Sequence, residues 1–287
     1  MADDLGYGEV GVFGQKIIET PNIDKLASNG MILTNHYSGA PVCAPARAVL
    51  MTGLHTGKNP VRGNDEWRER GDVWSFEAMF KDPSLEGQRP LPDTIQTVAS
   101  YLKSHGYKTG MVGKWGLGAP NTSSIPNLKG FDFFYGYNCQ RQAHTLYPSH
   151  LWRNTDRHIL NNKIVDKGPL RSDANPNNSK SYNNYNQVDY APTLMHEESL
   201  KFIERNKDNT FFLYYASPLP HLPPPSPFRT VRRLDSPKTV WGSKPRRSES
   251  DTSTCHFRPA CFESAMSVSG WSGRASEWKL ARQGASA

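Results

Sequence analysis

Apolar positions along the chain fall into three repeated units, each a helical pattern that hands over to a short apolar run. The first spans Thr20 to Asn29: Ile23, Leu26 and Ala27 share a face, Thr20 can cap, Pro21 suits the first turn and Gly30 closes the segment. Met31 to Leu33 then reads as a strand. The second runs from Asp93 to His105, with Ile95, Val98, Ala99 and Leu102 on one side, a stop at Gly106, and a strand over Lys108–Val112. In the third, a helical stretch over Ala191–Asn206 precedes the apolar run Phe211–Tyr215, which predicts a buried strand. Helices that repeatedly deliver short apolar strands predict an α/β sandwich, with a mainly parallel central sheet flanked by helices.

Two stretches lack this pattern. Asn161–Asp189, rich in Asn, Ser, Lys and Tyr, reads either as a substrate-facing loop or as a disordered insertion. From Pro223 the sequence turns dense in Ser, Pro and Arg, so the chain divides into a folded part over 1–222 and a basic, poorly ordered tail over 223–287. Of the net charge of +7, the tail's 11 basic and 5 acidic residues carry +6. The folded part is nearly neutral, which argues against a nucleic-acid surface there. Cys43, Cys139, Cys255 and Cys261 follow neither a disulfide framework nor a paired CxxC zinc pattern. With no apolar run near the roughly 20 residues a bilayer demands, and no basic and apolar signal-peptide regions at the start, a soluble chain is expected, an upstream export signal aside.

The chemistry concentrates around Cys43-Ala44-Pro45-Ala46-Arg47 and the following Ala48-Val49-Leu50-Met51-Thr52-Gly53. Pro45 and its small neighbours can start a helix, whose amides stabilise negative charge beside Cys43. Asp3 and Asp4 offer hard oxygen ligands suited to calcium or magnesium, for which soft sulfur is a poor companion. Arg47 lies one helical turn from Cys43. Taken singly, Cys43 reads as a buried structural cysteine and Asp3-Asp4 as a solvated turn.

Taken together, these segments resemble the type I sulfatases of the alkaline phosphatase superfamily. Residues 43–53 match the C-x-P-x-R signature with its helix and Thr-Gly ending, and Met1-Ala2-Asp3-Asp4-Leu5-Gly6-Tyr7-Gly8 resembles the metal-binding opening. Thr20-Pro21-Asn22-Ile23-Asp24-Lys25-Leu26-Ala27 resembles the first helix, and Gly113-Lys114-Trp115-Gly116-Leu117-Gly118 the G-K-W-x-L-G segment. The resemblance covers residues 1 to about 222 and implies a sulfuric ester hydrolase acting on a sulfated small molecule or saccharide. It implies that a formylglycine-generating enzyme oxidises Cys43 to formylglycine, whose aldehyde hydrates to a geminal diol. One hydroxyl attacks sulfur; the other drives collapse of the sulfated hemiacetal. By the same resemblance Asp3, Asp4 and residue 43 hold Ca2+, or else Mg2+, and Arg47 holds the diol. Lys114 contacts the sulfate and the formylglycine oxygen, and His221, in Ser217-Pro218-Leu219-Pro220-His221, protonates the leaving alcohol. Many relatives carry histidine where this chain has Gly116, so one polar contact to the nucleophile is missing or supplied elsewhere. Near Gly130–Asn138, another family-like segment, Gln140, His144 and His150 are candidate substrate contacts or hydrogen-bonded loop side chains. The family is commonly exported to the periplasm, outside the cell or to the lysosome; this sequence does not assign a location.

The pattern also departs from the family. No D-N-G pair with a later lysine follows His221, since Asp208-Asn209 precedes the last predicted strand, and no apolar strand precedes the Asp pair. The expectation is that both ends are incomplete, that the tail reflects a reading-frame change or gene-model error, and that a weakly held cation leaves this chain with low or no activity. Two rival readings are a phosphatase or phosphodiesterase of the same superfamily, which would use Ser or Thr in place of Cys43, and a non-catalytic fragment whose tail binds anions.

Overall fold

Local capping sets where each helix of the computed structural model begins and ends; the structure describes residues 1–165 and 187–221. Helix α1 (Pro21–Ser28) lies inside the predicted span. Thr20 anchors it sideways, its Oγ1 accepting from the Gly11 amide at 2.8 Å and lying 3.2 Å from the Asp24 carboxylate, which in turn accepts from Val12 at 2.7 Å. The predicted strand at Met31–Leu33 does not form: the segment is irregular and Met31 is 84% exposed. Strand geometry needs a neighbouring ladder, and no described strand pairs with these residues.

Helix α2 (Cys43–Thr52) opens with Ala44 donating to Asn64 Oδ1 at 3.0 Å and closes at Gly53, whose left-handed φ of 68° lets its amide reach Val49 O. A short helix, α3 (Phe76–Lys81), is capped by Ser75. Helix α4 (Val98–Ser104) begins later than the apolar pattern suggests, because Thr97 and Ser100 form a reciprocal capping box that fixes the start. Helix α5 (Ala191–Asn206) has the predicted limits.

Five strands form one sheet: β1 (Lys108–Lys114), β2 (Phe133–Tyr137), β3 (His150–Arg153), β4 (Asp156–Ile159) and β5 (Phe211–Ala216), in the order β4-β3-β2-β1-β5. The three strands β2, β1 and β5 run parallel, and β3 and β4 add an antiparallel hairpin. Side-chain alternation builds two cores. Met111, Phe134, Tyr214 and Ala216 meet Ala44, Ala48 and Met51 of α2 and Ala99 of α4, while Val112, Tyr135 and Tyr215 meet Ala191 and Met195 of α5. This is the predicted α/β sandwich. Truncating a wholly buried Met111 to alanine would cost about 2–5 kcal/mol. Gly113 lets β1 and β5 close up, since at its φ of 116° a Cβ would sit 2.0 Å from Ala216 O.

The hairpin has weaker sequence signals. It turns at Asn154, with φ 55°, whose side-chain oxygen accepts from the Phe134 amide at 2.9 Å. No helix among the described residues is long and apolar enough to cross a membrane. The tail from Pro223 and most of the Asn161–Asp189 stretch lie outside the described residues.

Candidate active site

Parallel strands deliver their carboxyl ends to one edge of the sheet, where loops can converge on a ligand. Here β1 ends in Lys114 and β5 leads through Ser217 to His221. Residues 1–3 run beside the end of β5, with the Met1 amine donating to Tyr215 O, Ser217 N to Met1 O and Asp3 N to Leu219 O, each at 3.0 Å. That ladder sets Asp3 at the same edge as Lys114. Asn64 places the start of α2, and with it Cys43, opposite them.

Lys114 is the hub. Its side chain is 1% exposed, and its ammonium lies 2.5 Å from Asp3 Oδ2, 3.7 Å from Cys43 Sγ and 3.3 Å from His144 Nε2. An ammonium only donates, so Nε2 of His144 accepts and the ring proton belongs on Nδ1. Burial, and then the adjacent Lys114 charge, push the His144 ring down to about 3, so it is neutral near pH 7. Burial alone would raise the Asp3 carboxyl, but Lys114 and then Arg47 hold it below its ordinary value.

Arg47, also 1% exposed, projects from α2 with Nε donating to Trp115 O at 2.7 Å and Nη2 donating to Gln140 Oε1. Gly116 makes room for that contact: at its φ of 66°, a Cβ would lie 2.6 Å from Arg47 Nη2 and 3.0 Å from Gln140 Cβ. His221 stacks on His144 with ring centroids 4.0 Å apart and planes 8° from parallel. A small recess is lined by Met1, Asp3, Arg47 and Lys114, and a second by Asp3, Asp4, Val42 and Cys43.

The structure thus gathers Asp3, Cys43, Arg47, Lys114 and His221. Metal-ligating atoms of Asp3, Cys43 and His221 lie within 4.8 Å of one another. Asp4 differs from the sequence expectation of two carboxylates turned to one ion: its backbone takes φ 61°, its side chain is 54% exposed, and its Oδ2 lies 3.4 Å from His221 Nε2.

Sequence reasoning named Gln140 and His144 without giving them roles; both belong here, at positions i and i+4 in the turn after β2. His150, named alongside them, does not. It is buried against Glu86, Nε2 to Oε2 at 2.9 Å, away from Lys114's contacts. Cys139, the other free cysteine among the described residues, is fully buried, and burial followed by Glu66 pushes its thiol up to about 11. It is a packing residue, whereas Cys43 is half-buried beside a cation.

A family model described as Sulfatase matches residues 1–239. Human steryl-sulfatase is 43% identical over 141 residues, covering 47% of this chain and 22% of that protein. Human N-acetylgalactosamine-6-sulfatase is 30% identical over 231 residues, covering 78% of this chain and 39% of that protein. Among solved structures, i-CgsB in complex with k-i-k-neocarrahexaose shares 27% identity at a TM-score of 0.54, over 78% of this chain and 44% of that one. A sulfatase from Pseudoalteromonas sp., 23% identical with a TM-score of 0.51 over 77% of this chain and 43% of that one, shares the fold. The chain matches less than half the length of each of these relatives.

Proposed function

Because the chain belongs to the sulfatase family, we propose that its site hydrolyses sulfate esters with an oxygen nucleophile made from Cys43. The observation that carries this reading is Lys114, whose buried ammonium contacts Asp3 and Cys43 at once at the head of α2, with the Arg47 guanidinium close by. Two fixed cations beside the nucleophile suit an anionic ester and stabilise charge that builds on it. In this reading Lys114 binds the sulfate, and Arg47, held by Trp115 O and Gln140, orients the oxygens of residue 43. His221, braced by the stacked His144, holds the proton for the leaving alcohol.

Formylglycine at position 43, made by a formylglycine-generating enzyme, would supply the attacking oxygen. A divalent cation, Ca2+ or else Mg2+, would supply charge stabilisation there. The donor set fits such an ion in type once oxygen replaces sulfur, through Asp3, residue 43 and a reoriented Asp4. Among the described residues these donors are fewer than the about six to eight oxygens calcium takes. The proposed substrate is a sulfated saccharide or small molecule, in keeping with the saccharide named for i-CgsB and the amino sugar named for the human relative. The catalytic part is proposed to span 1–222, with the tail outside it.

A phosphate ester is the rival substrate, because fixed cations suit it equally. Turnover of matched aryl sulfate and aryl phosphate by matured chain, with Cys43→Ala alongside, decides between them. Sulfate release lost in the variant supports the proposal; preference for phosphate, or turnover untouched by Cys43→Ala, overturns it.

A further inference from the structure

The three ligand-type groups at the site differ in chemical kind. Asp3 offers a carboxylate oxygen, Cys43 a sulfur and His221 an imidazole nitrogen, all within 4.8 Å of one another. Calcium and magnesium take oxygen, whereas a mixed oxygen, nitrogen and sulfur set matches zinc, which binds three protein ligands and keeps a fourth position open. We propose that the folded chain with an unconverted Cys43 binds Zn2+ through Asp3, Cys43 and a ring nitrogen of His221, with water as the fourth ligand. This goes beyond the hydrolase reading, because it concerns the state before residue 43 loses its sulfur, and it holds whether or not sulfate esters are cleaved.

Zinc bonds of about 2.0–2.3 Å put tetrahedral ligand atoms about 3.5 Å apart, so the trio must draw in by roughly 1 Å. The three come from separate segments. Asp3 ends the ladder that residues 1–3 make beside β5, Cys43 occupies the first turn of α2 and His221 lies on the loop past β5, so the contraction is a side-chain adjustment of all three. The place already suits positive charge, since the Lys114 ammonium sits 2.5 Å from Asp3 and 3.7 Å from Cys43 Sγ. An entering ion displaces that ammonium from the carboxylate and sulfur, and binding releases the thiol proton to solvent. Behind the imidazole, Asp4 Oδ2 lies 3.4 Å from Nε2 while His144 packs on the ring face, supports of the kind that orient a metal-bound histidine. Sequence spacing hides this site: its ligands come from residues 3, 43 and 221, and no paired motif links them.

The test uses the full chain, purified without a maturation enzyme, its thiol at position 43 verified by peptide mass. The metal-free protein is titrated with Co2+ as a spectroscopic probe and Zn2+ as competitor. One equivalent should give a sulfur-to-cobalt charge-transfer band that zinc abolishes and calcium does not. Cys43→Ser should remove the band and weaken zinc binding by at least about tenfold, His221→Ala should weaken zinc comparably, and a Cys255→Ser/Cys261→Ser double variant should keep both. A band that survives Cys43→Ser, or that disappears with the two tail cysteines, overturns the proposal. Should Cys43→Ser fail to fold, the native protein still decides. Zinc should slow iodoacetamide alkylation of Cys43 by at least about tenfold, and an unchanged rate overturns the assignment.

Discussion

Two buried polar clusters in this molecule contain the same kinds of side chain and do different things. Around Glu86, which is fully buried, Oε1 accepts from Trp152 Nε1 at 2.6 Å, while Oε2 lies 2.9 Å from His150 Nε2 and 3.5 Å from Arg157 Nη2. Both oxygens are spoken for by side chains of β3 and β4, so the cluster is closed and pins the hairpin to the loop after α3. Around Lys114, an acid, an arginine and two histidines meet beside a cysteine, but here Asp3, Arg47, Lys114 and Cys43 line recesses at the edge of the sheet. Buried charge by itself therefore does not mark a functional site. The mark is binding capacity that faces an opening.

The comparison breaks most readily at Cys43. Cys43→Ala should abolish sulfate-ester turnover while leaving the free energy of urea unfolding within about 1 kcal/mol of wild type, since a half-buried side chain is removed. A variant that unfolds would assign Cys43 to the structural class instead.

Next comes Glu86→Ala, which takes the acceptor from Trp152 Nε1 and the partner from His150 Nε2, while Arg157 keeps the carbonyls of Phe80 and Met79; at about 1–3 kcal/mol for each stranded group it should cost about 2–6 kcal/mol in urea unfolding. A loss below about 1 kcal/mol would show that the closed cluster is not a brace. His144→Phe keeps the ring face against His221 but removes the acceptor for Lys114, and should lower turnover by about 10–100-fold, with His144→Gln partly restoring it. Equal rates in all three proteins would remove His144 from the site.

The smallest effect sharpens the contrast at a half-open pair. Arg153, bonded to Glu198 at 2.8 Å, together with Lys201 holds the Glu198 carboxyl down at about 2 against desolvation. A carboxyl lowered on folding stabilises above its ordinary pKa, and that contribution fades as pH falls toward 2. Glu198→Gln should thus cost about 1 kcal/mol near pH 7, after allowing for the exposed arginine, and nothing near pH 2, read from urea midpoints. A difference that persists in acid would assign the effect to packing.

Much of the fold was legible because local signals agreed with tertiary demand. The limits of α5 and the run at β5 were plain in apolar periodicity, and Gly106 marked the end of α4. The start of α4 is less legible, because Ile95 continues the apolar face whereas the Thr97–Ser100 box stops the helix short of it. Met31–Leu33 failed for a different reason: β-type residues predict a strand only where a neighbour supplies hydrogen bonds. The site's members were legible through the motif around Cys43 and Lys114, but not their partners. That Asp4 turns to His221, and that Gln140 fills the space beside Gly116, follow from backbone conformation and packing between distant segments.

At the centre of the account stands one atom, an oxygen at position 43 in place of sulfur. The direct measurement is the mass of the tryptic peptide Leu26–Arg47 from chain expressed with a formylglycine-generating enzyme, before and after hydrazide labelling. The account predicts a peptide in which aldehyde replaces the thiol-bearing group and that takes up the hydrazide. A peptide that keeps its thiol, in protein that still releases sulfate from an ester, would contradict it.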